Sequence, residues 1–222
     1  MQLENNLIHT VPLLWADSQD GALVSDIISL KNYRQADVYI MVGAVIGKAG
    51  AVTMQKGVSV SSAGTALAFT RYLETGFVLD YDGASDTVLE SAGAAFTGAG
   101  GGAGVVYSDN GNRLVCYGYN GTTFVDNETI TFTTSGRTAV ANGIQKNEDI
   151  LVPRTASSNT FNVNAAGYKI YCIPIQADSL GEGYDCIELN VADLDTTELA
   201  AWVNLSGFRG SMGEIPETAI YN

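Results

Sequence analysis

The sequence predicts an all-β chain: an antiparallel β-sandwich or barrel base domain, interrupted by a small inserted β domain. Three observations predict it. Gly accounts for 25 of 222 residues and charged residues for only 16%, with eleven Tyr and four Pro; such a composition favours strands and tight turns over helices or disorder. Short segments alternate apolar and polar residues with period two. Asn110-Gly111 and Asn120-Gly121 stand beside β-rich runs, a strong hairpin signal. A hydrophobic share of 46% supplies a core for one large domain or two small ones.

Residues 1–20 read as irregular around the apolar patch Val11-Pro12-Leu13-Leu14-Trp15, which Pro12 restricts to an edge strand or extended arm. Ile27 to Leu30 is followed by the polar turn Lys31 to Arg34. In the next strand Val38, Ile40 and Val42 alternate with Asp37, Tyr39 and Met41, placing β-branched residues on one face. Gly47 to Gly50 breaks the chain, Ala51 to Gly57 returns, and Leu67 to Leu73 completes a meander over 20–79. From Asp80 the character changes. The stretch 91–104, ending in Gly98-Ala99-Gly100-Gly101-Gly102-Ala103-Gly104, reads as a flexible linker, because Gly and Ala bury little surface. Strand signals resume at Val105-Val106-Tyr107, Leu114 to Tyr119, Glu128 to Thr133 and Gly136 to Asn142. Thr155 to Thr160 is a second polar linker. Phe161 to Val163, Tyr168 to Ile175 and Cys186 to Val191 are further strands. Over 195–205, Asp195 and Glu198 suggest a helix cap, while Leu199, Ala201, Val203 and Leu205 fit period two; the strand is favoured because Gly207 follows closely.

These shifts divide the chain into a discontinuous base, 1–79 and 158–222, and an insert, 80–157. The net charge is −13, which argues against nucleic-acid binding, whose affinity comes mainly from clustered Lys and Arg, and disfavours anionic membranes. Residues 1–79 are nearly neutral, at −1, against −5 for 80–159 and −7 for 160–222. The amino-terminal part is therefore the expected face toward an acidic partner. Cys116, Cys172 and Cys186 are too few and too dispersed for a disulfide scaffold and read as core residues of strands. An odd count fits folding in a reducing cytoplasm. No basic-plus-apolar leader and no run of about 20 apolar residues is visible, so a soluble chain is expected. The glycosylation triplets at Asn120, Asn127 and Asn204 carry no weight without secretion.

Catalysis finds no foothold. His9 is the single histidine, which closes off Ser-His-Asp, Cys-His and multi-histidine zinc arrangements. No sequence feature selects a carboxylate pair of the glycosidase kind. The Gly98–Gly104 run lacks the following helix and the Gly-Lys-Ser/Thr of phosphate loops. Asp80, Asp82 and Asp86 could offer oxygens to calcium, but Gly83 falls too early for an EF-hand loop, so a solvated acidic turn is the default. No cofactor is expected. Tyr33, Tyr39, Tyr72, Tyr107, Tyr117, Tyr119, Tyr168 and Tyr171 suggest either a carbohydrate platform or sheet-rim packing.

Several segments resemble a known family. They are Leu30 to Tyr33, Ser158 to Val163, Lys169 to Ile175, Gly183 to Leu189, Leu205 to Gly210 and Ile215 to Ile220. Over roughly 5–79 and 158–222 the chain resembles head decoration, or cement, proteins of tailed bacteriophages, while 80–157 departs from their short members. Phe124 to Thr131 with Thr134 to Val140 is similar to a small β unit of phage surface proteins. The resemblance implies a non-enzymatic virion protein, synthesised in the host cytoplasm. It would bind the major capsid protein on the outside of the shell, stabilise it as a trimer, and expose the insert to solvent. Asn5 to Leu14 would serve as an arm onto a neighbour. Leu13, Leu14 and Trp15 are then the expected capsid or oligomer contacts, or else they cap the base core. The competing expectation is a tail or fibre component whose Tyr-rich insert binds a host receptor or glycan.

Overall fold

The computed structural model describes residues 8–19, 21–43, 49–83, 88–146, 150–163, 168–195 and 197–209, and excludes the side chains of 15–19. Asn5 to Leu7 of the expected arm, Asp86, Gly47-Lys48, the 215–220 tail and the Trp15 side chain lie outside the described residues. The fold is all-β and antiparallel. The described residues contain no α-helix, only a 3-10 turn at Ala177–Leu180.

In chain order the strands are β1 (His9–Gln19), β2 (Leu23–Val24), β3 (Ile28–Ser29), β4 (Gln35–Val42), β5 (Gly50–Ser59) and β6 (Ser62–Ala66). Next come β7 (Arg71–Thr75), β8 (Phe77–Asp82), β9 (Ala95–Gly98), β10 (Ala103–Asp109), β11 (Arg113–Tyr117) and β12 (Thr129–Phe132). The last six are β13 (Thr138–Ala141), β14 (Leu151–Thr155), β15 (Thr160–Val163), β16 (Lys169–Gln176), β17 (Cys186–Val191) and β18 (Thr197–Ser206). Two compact units result, 1–73 with 154–222, and 74–153.

The first unit, the base, contains two sheets that share one core. One sheet runs β1-β18-β4-β16-β7-β14; the other runs β15-β5-β17-β2, with β3 on β17 and β6 on β5. Period two explains the layering. Val38, Ile40 and Val42 of β4 meet Tyr171, Ile173, Ile175, Leu199, Ala201, Val203 and Leu205 inside, beside Met54, Leu189 and Val191 of the second sheet. Tyr72 stacks on Phe161 with centroids 4.1 Å apart, filling volume that aliphatic chains would leave open. The segment 197–206 is a strand, paired along its length with β4. The β-branched and apolar period outweighs the Asp195–Glu198 cap signal.

The second unit is a closed barrel of six strands, β10-β11-β8-β13-β12-β9. Closure removes the exposed edges that an open sheet of this size carries. Its core is aromatic: Phe77, Phe96, Phe124 and Phe132 with Leu79, Leu114 and Ile130. Three sequence expectations are corrected here. The unit boundary falls at Leu73/Glu74 rather than at Asp80, because β8 belongs to the barrel; only Gly76 separates it from β7, and so short a junction has no composition signature. The stretch 91–104 is not a linker. It contains β9, a tight turn and the start of β10, with Gly98 N–H donating to the Gly102 carbonyl at 2.7 Å and Ala99 N–H to the Thr129 carbonyl at 3.0 Å. The buried Glu128 accepts from Gly100 N–H and Val125 N–H, and Asn120 bonds both Gly101 and Ala103. Glycine is there to make room. A Cβ on Gly104 would lie 2.6 Å from the Phe77 ring and 2.8 Å from that of Phe96. Likewise the polar segment 155–160 is a tight turn between β14 and β15, closed by Ser157–Thr160 backbone bonds, with Ser158 at φ 63°.

Candidate docking face of the base

Strand alternation sends one phase of β4, β16 and β18 into the core and the other outward. Register aligns the outward phase in rows. Pro12, Trp202, Tyr39 and Cys172 form one row; Ala200, Met41 and Ile170 form the next. On the other side of the Trp202 row come Thr10, Asn204, Asp37 and Pro174, then Ser206, Gln35 and Gln176. The last two rows are tied by hydrogen bonds: Thr10 Oγ1 donates across to Asn204 Oδ1 at 2.8 Å, and Gln35 Nε2 along β4 to Asp37 Oδ1 at 2.8 Å. The first two rows are apolar. Trp202 lies flat on Tyr39, with ring centroids 5.3 Å apart and planes 7° from parallel; Met41 is 44% exposed. Across these four rows the single charged residue is Asp37.

A sheet face turned away from its own core is ordinarily polar in an antiparallel fold. This one combines a stacked aromatic pair, Met, Ile and Pro with charge depletion, the composition of the buried centre of protein interfaces. Its groups are chemically quiet. Burial pushes the Tyr39 phenol up, with the neighbouring Cys172 and Asp37 adding to it. Burial also pushes the Cys172 thiol up to about 12, reinforced by Asp37, so it stays a protonated thiol at neutral pH.

Of the residues expected to dock, Leu13 and Leu14 take the alternative place, capping the base core. Leu13 is 6% exposed and belongs to the base core, and Leu14 packs partly buried against it. That Leu13 side chain is occupied within its own fold, which corrects its reading as an outward contact. Residues 9–14 are likewise paired with β18 in register His9 to Leu205 rather than held as a free arm. The aromatic expectation also changes. Tyr33, Tyr72, Tyr81 and Tyr171 are buried, Tyr119 packs on the barrel core, and among the barrel tyrosines only Tyr107, at 41%, is largely exposed. His9 sits edge-on to Tyr33 at 5.8 Å. All three cysteines are buried and unbridged.

The acidic turn is partly committed. Asp80 Oδ1 takes Arg113 Nε at 2.6 Å, and Oδ2 takes Lys146 Nζ at 2.8 Å, so Asp80 already has cationic partners in place of calcium. Among the described residues no group of three or more His, Cys, Asp or Glu is arranged to hold a metal ion. The hydrogen bonds from Arg113 and then Lys146 hold the Asp80 carboxyl at about 2, below its ordinary 3.8. A depressed folded value means stabilisation that is present above pH 3.8 and lost as pH falls toward about 2. Because Arg113 and Lys146 are half exposed, solvent and salt screen the effect. Thermal midpoints measured across this window should fall with acid, and Asp80→Asn should flatten that part of the profile.

No protein-family model matches the chain, and no curated protein matches its sequence.

Proposed function

We propose that the chain is a structural virion component, a decoration protein that docks on the outside of a tailed-phage head through the outward face of the six-stranded sheet. The observation that carries this reading is the face itself: the Trp202–Tyr39 stack with Pro12, Ala200, Met41 and Ile170, around one charged residue. The partner is the major capsid protein. Burying the aromatic pair against the shell supplies hydrophobic free energy without any catalytic group, and binding only the assembled shell stabilises it by linkage. A trimer at local threefold positions suits a cyclic arrangement of docking faces. The resemblance of the base segments to head decoration proteins supports the same reading, and no catalytic role is assigned.

The test is co-sedimentation of the purified protein with heads of the cognate phage that lack it, followed by heating and measurement of DNA release. Saturable binding at a fixed ratio to the shell protein, with delayed release, is the expected result. Absence of binding to heads, with binding to tails or host cells instead, would reject it.

A further inference from the structure

The barrel carries a polar depression of about 560 Å³ that the docking face does not use. Its walls come from the end of β8, the β10–β11 turn and the residue after β13: Asp80, Asp82, Asn110, Asn112, Arg113 and Asn142, together with Tyr81. The volume falls within the range of small-molecule sites. The backbone around it is fixed. Asp109 Oδ1 accepts from Tyr81 Oη at 2.8 Å and from Gly111 N–H at 2.8 Å. Asn110 Oδ1 accepts from Arg113 N–H at 2.9 Å. Asn142 N–H donates to the Asp80 carbonyl at 2.9 Å, and Tyr81 N–H to the Asn112 carbonyl at 2.9 Å. A backbone held this way has little freedom left to lose when a ligand arrives.

Against this fixed frame, the side chains of Asp82, Asn112 and Asn142 make no hydrogen bond to any other described residue. One carboxylate and two carboxamides therefore line the same depression with acceptors and donors that no described residue takes up. Their chemistry selects a ligand class. An anion meets the Asp82 carboxylate, and the Arg113 guanidinium beside it is already engaged by Asp80. A bare cation finds one uncommitted carboxylate, fewer than hard-cation sites use. An apolar molecule would strip water from polar walls with no return. A hydroxyl both donates and accepts, so adjacent hydroxyls on one ring can bond carboxylate and carboxamide together.

From this juxtaposition we propose that the barrel binds a neutral saccharide in the depression, with Asp82, Asn112 and Asn142 reading its hydroxyl groups. The site belongs to the barrel, the docking face to the base, and the proposal does not rest on the capsid reading. Because Tyr81, the one aromatic lining residue, is 3% exposed and packed in the barrel core, no ring is free to stack on a sugar, and the affinity falls in the weak range, with a dissociation constant of about 1 mM. The test is a titration of the full-length, nitrogen-15-labelled protein with maltotriose, mannotriose and chitotriose, followed by NMR, with calcium chloride and sodium phosphate in parallel. At least one trisaccharide is expected to shift the side-chain amide signals of Asn112 and Asn142 saturably. Asp82→Ala and Asn142→Ala should each weaken that binding by about tenfold, while the remaining barrel signals hold their positions. No saturable shift with any of the three sugars overturns the proposal. So does saturation by calcium or phosphate in place of a sugar, or undiminished binding by both variants.

Discussion

Phe96→Ala is expected to cost about 3–5 kcal/mol, enough to unfold most of a barrel of this size. Phe96 is 1% exposed, and its ring lies 5.4 Å from that of Phe124, 5.9 Å from Phe132 and 6.3 Å from Phe77. It also covers Gly104, so its loss opens a void against backbone that cannot move in without breaking the β9–β10 ladder. Hydrogen exchange reads the effect directly: amides of β8 to β13 should lose protection, while those of β4, β16 and β18, built on a separate core, should lose only the part set by closing a disordered loop in place of the barrel. Phe96→Leu, which retains most of the volume, should recover much of the loss. Equal protection in Phe96→Ala and the parent would show that the aromatic cluster does not hold the barrel.

Trp202→Ala should weaken head binding by roughly thirtyfold or more, the loss typical of a central aromatic anchor. The side chain is half-buried on the outward phase of β18, and its stacking partner Tyr39 would remain in place on β4. The cost to the fold is therefore modest against the cost to docking. Ile144→Ser, at a residue 64% exposed on the barrel, should bind heads like the parent and serves as the control. If Trp202→Ala bound heads with undiminished affinity and an unchanged melting point, docking would have to use another surface.

The strands were legible because period two is a direct imprint of a sheet with an inside and an outside. Val38, Ile40 and Val42 announced their core face, and Leu199 to Leu205 outweighed a competing cap signal. The docking face left a trace that alternation alone did not interpret. Tyr39 and Met41 are apolar at positions where one buried face was already supplied, the mark of a strand with apolar contacts on both sides. Trp202 went unread because its register opposite Tyr39 exists only after β18 and β4 pair. Glycine content misled for a physical reason. A glycine that gives the chain freedom and one that makes way for an aromatic ring have the same composition; what separates Gly98–Gly104 from a linker is the presence of Phe77, Phe96 and Phe124 elsewhere in the chain. The polar depression was visible only as an acidic turn, since Asn112 and Asn142 reach it through barrel closure.

The barrel's own ends are tied together: Gly76 N–H donates to the Ile150 carbonyl at 2.9 Å, and β7 and β14 are neighbours in the six-stranded sheet. The base must therefore bring together two points separated by roughly 80 residues. Closing a disordered loop of that length rather than one of a few residues costs about 2–3 kcal/mol in chain entropy. A barrel that has already folded removes most of that cost, because its joined ends present the base with a short connection. The order of events then matters. Early barrel formation accelerates assembly of the six-stranded sheet, and a variant that weakens the barrel slows the folding of a unit it never touches by mutation.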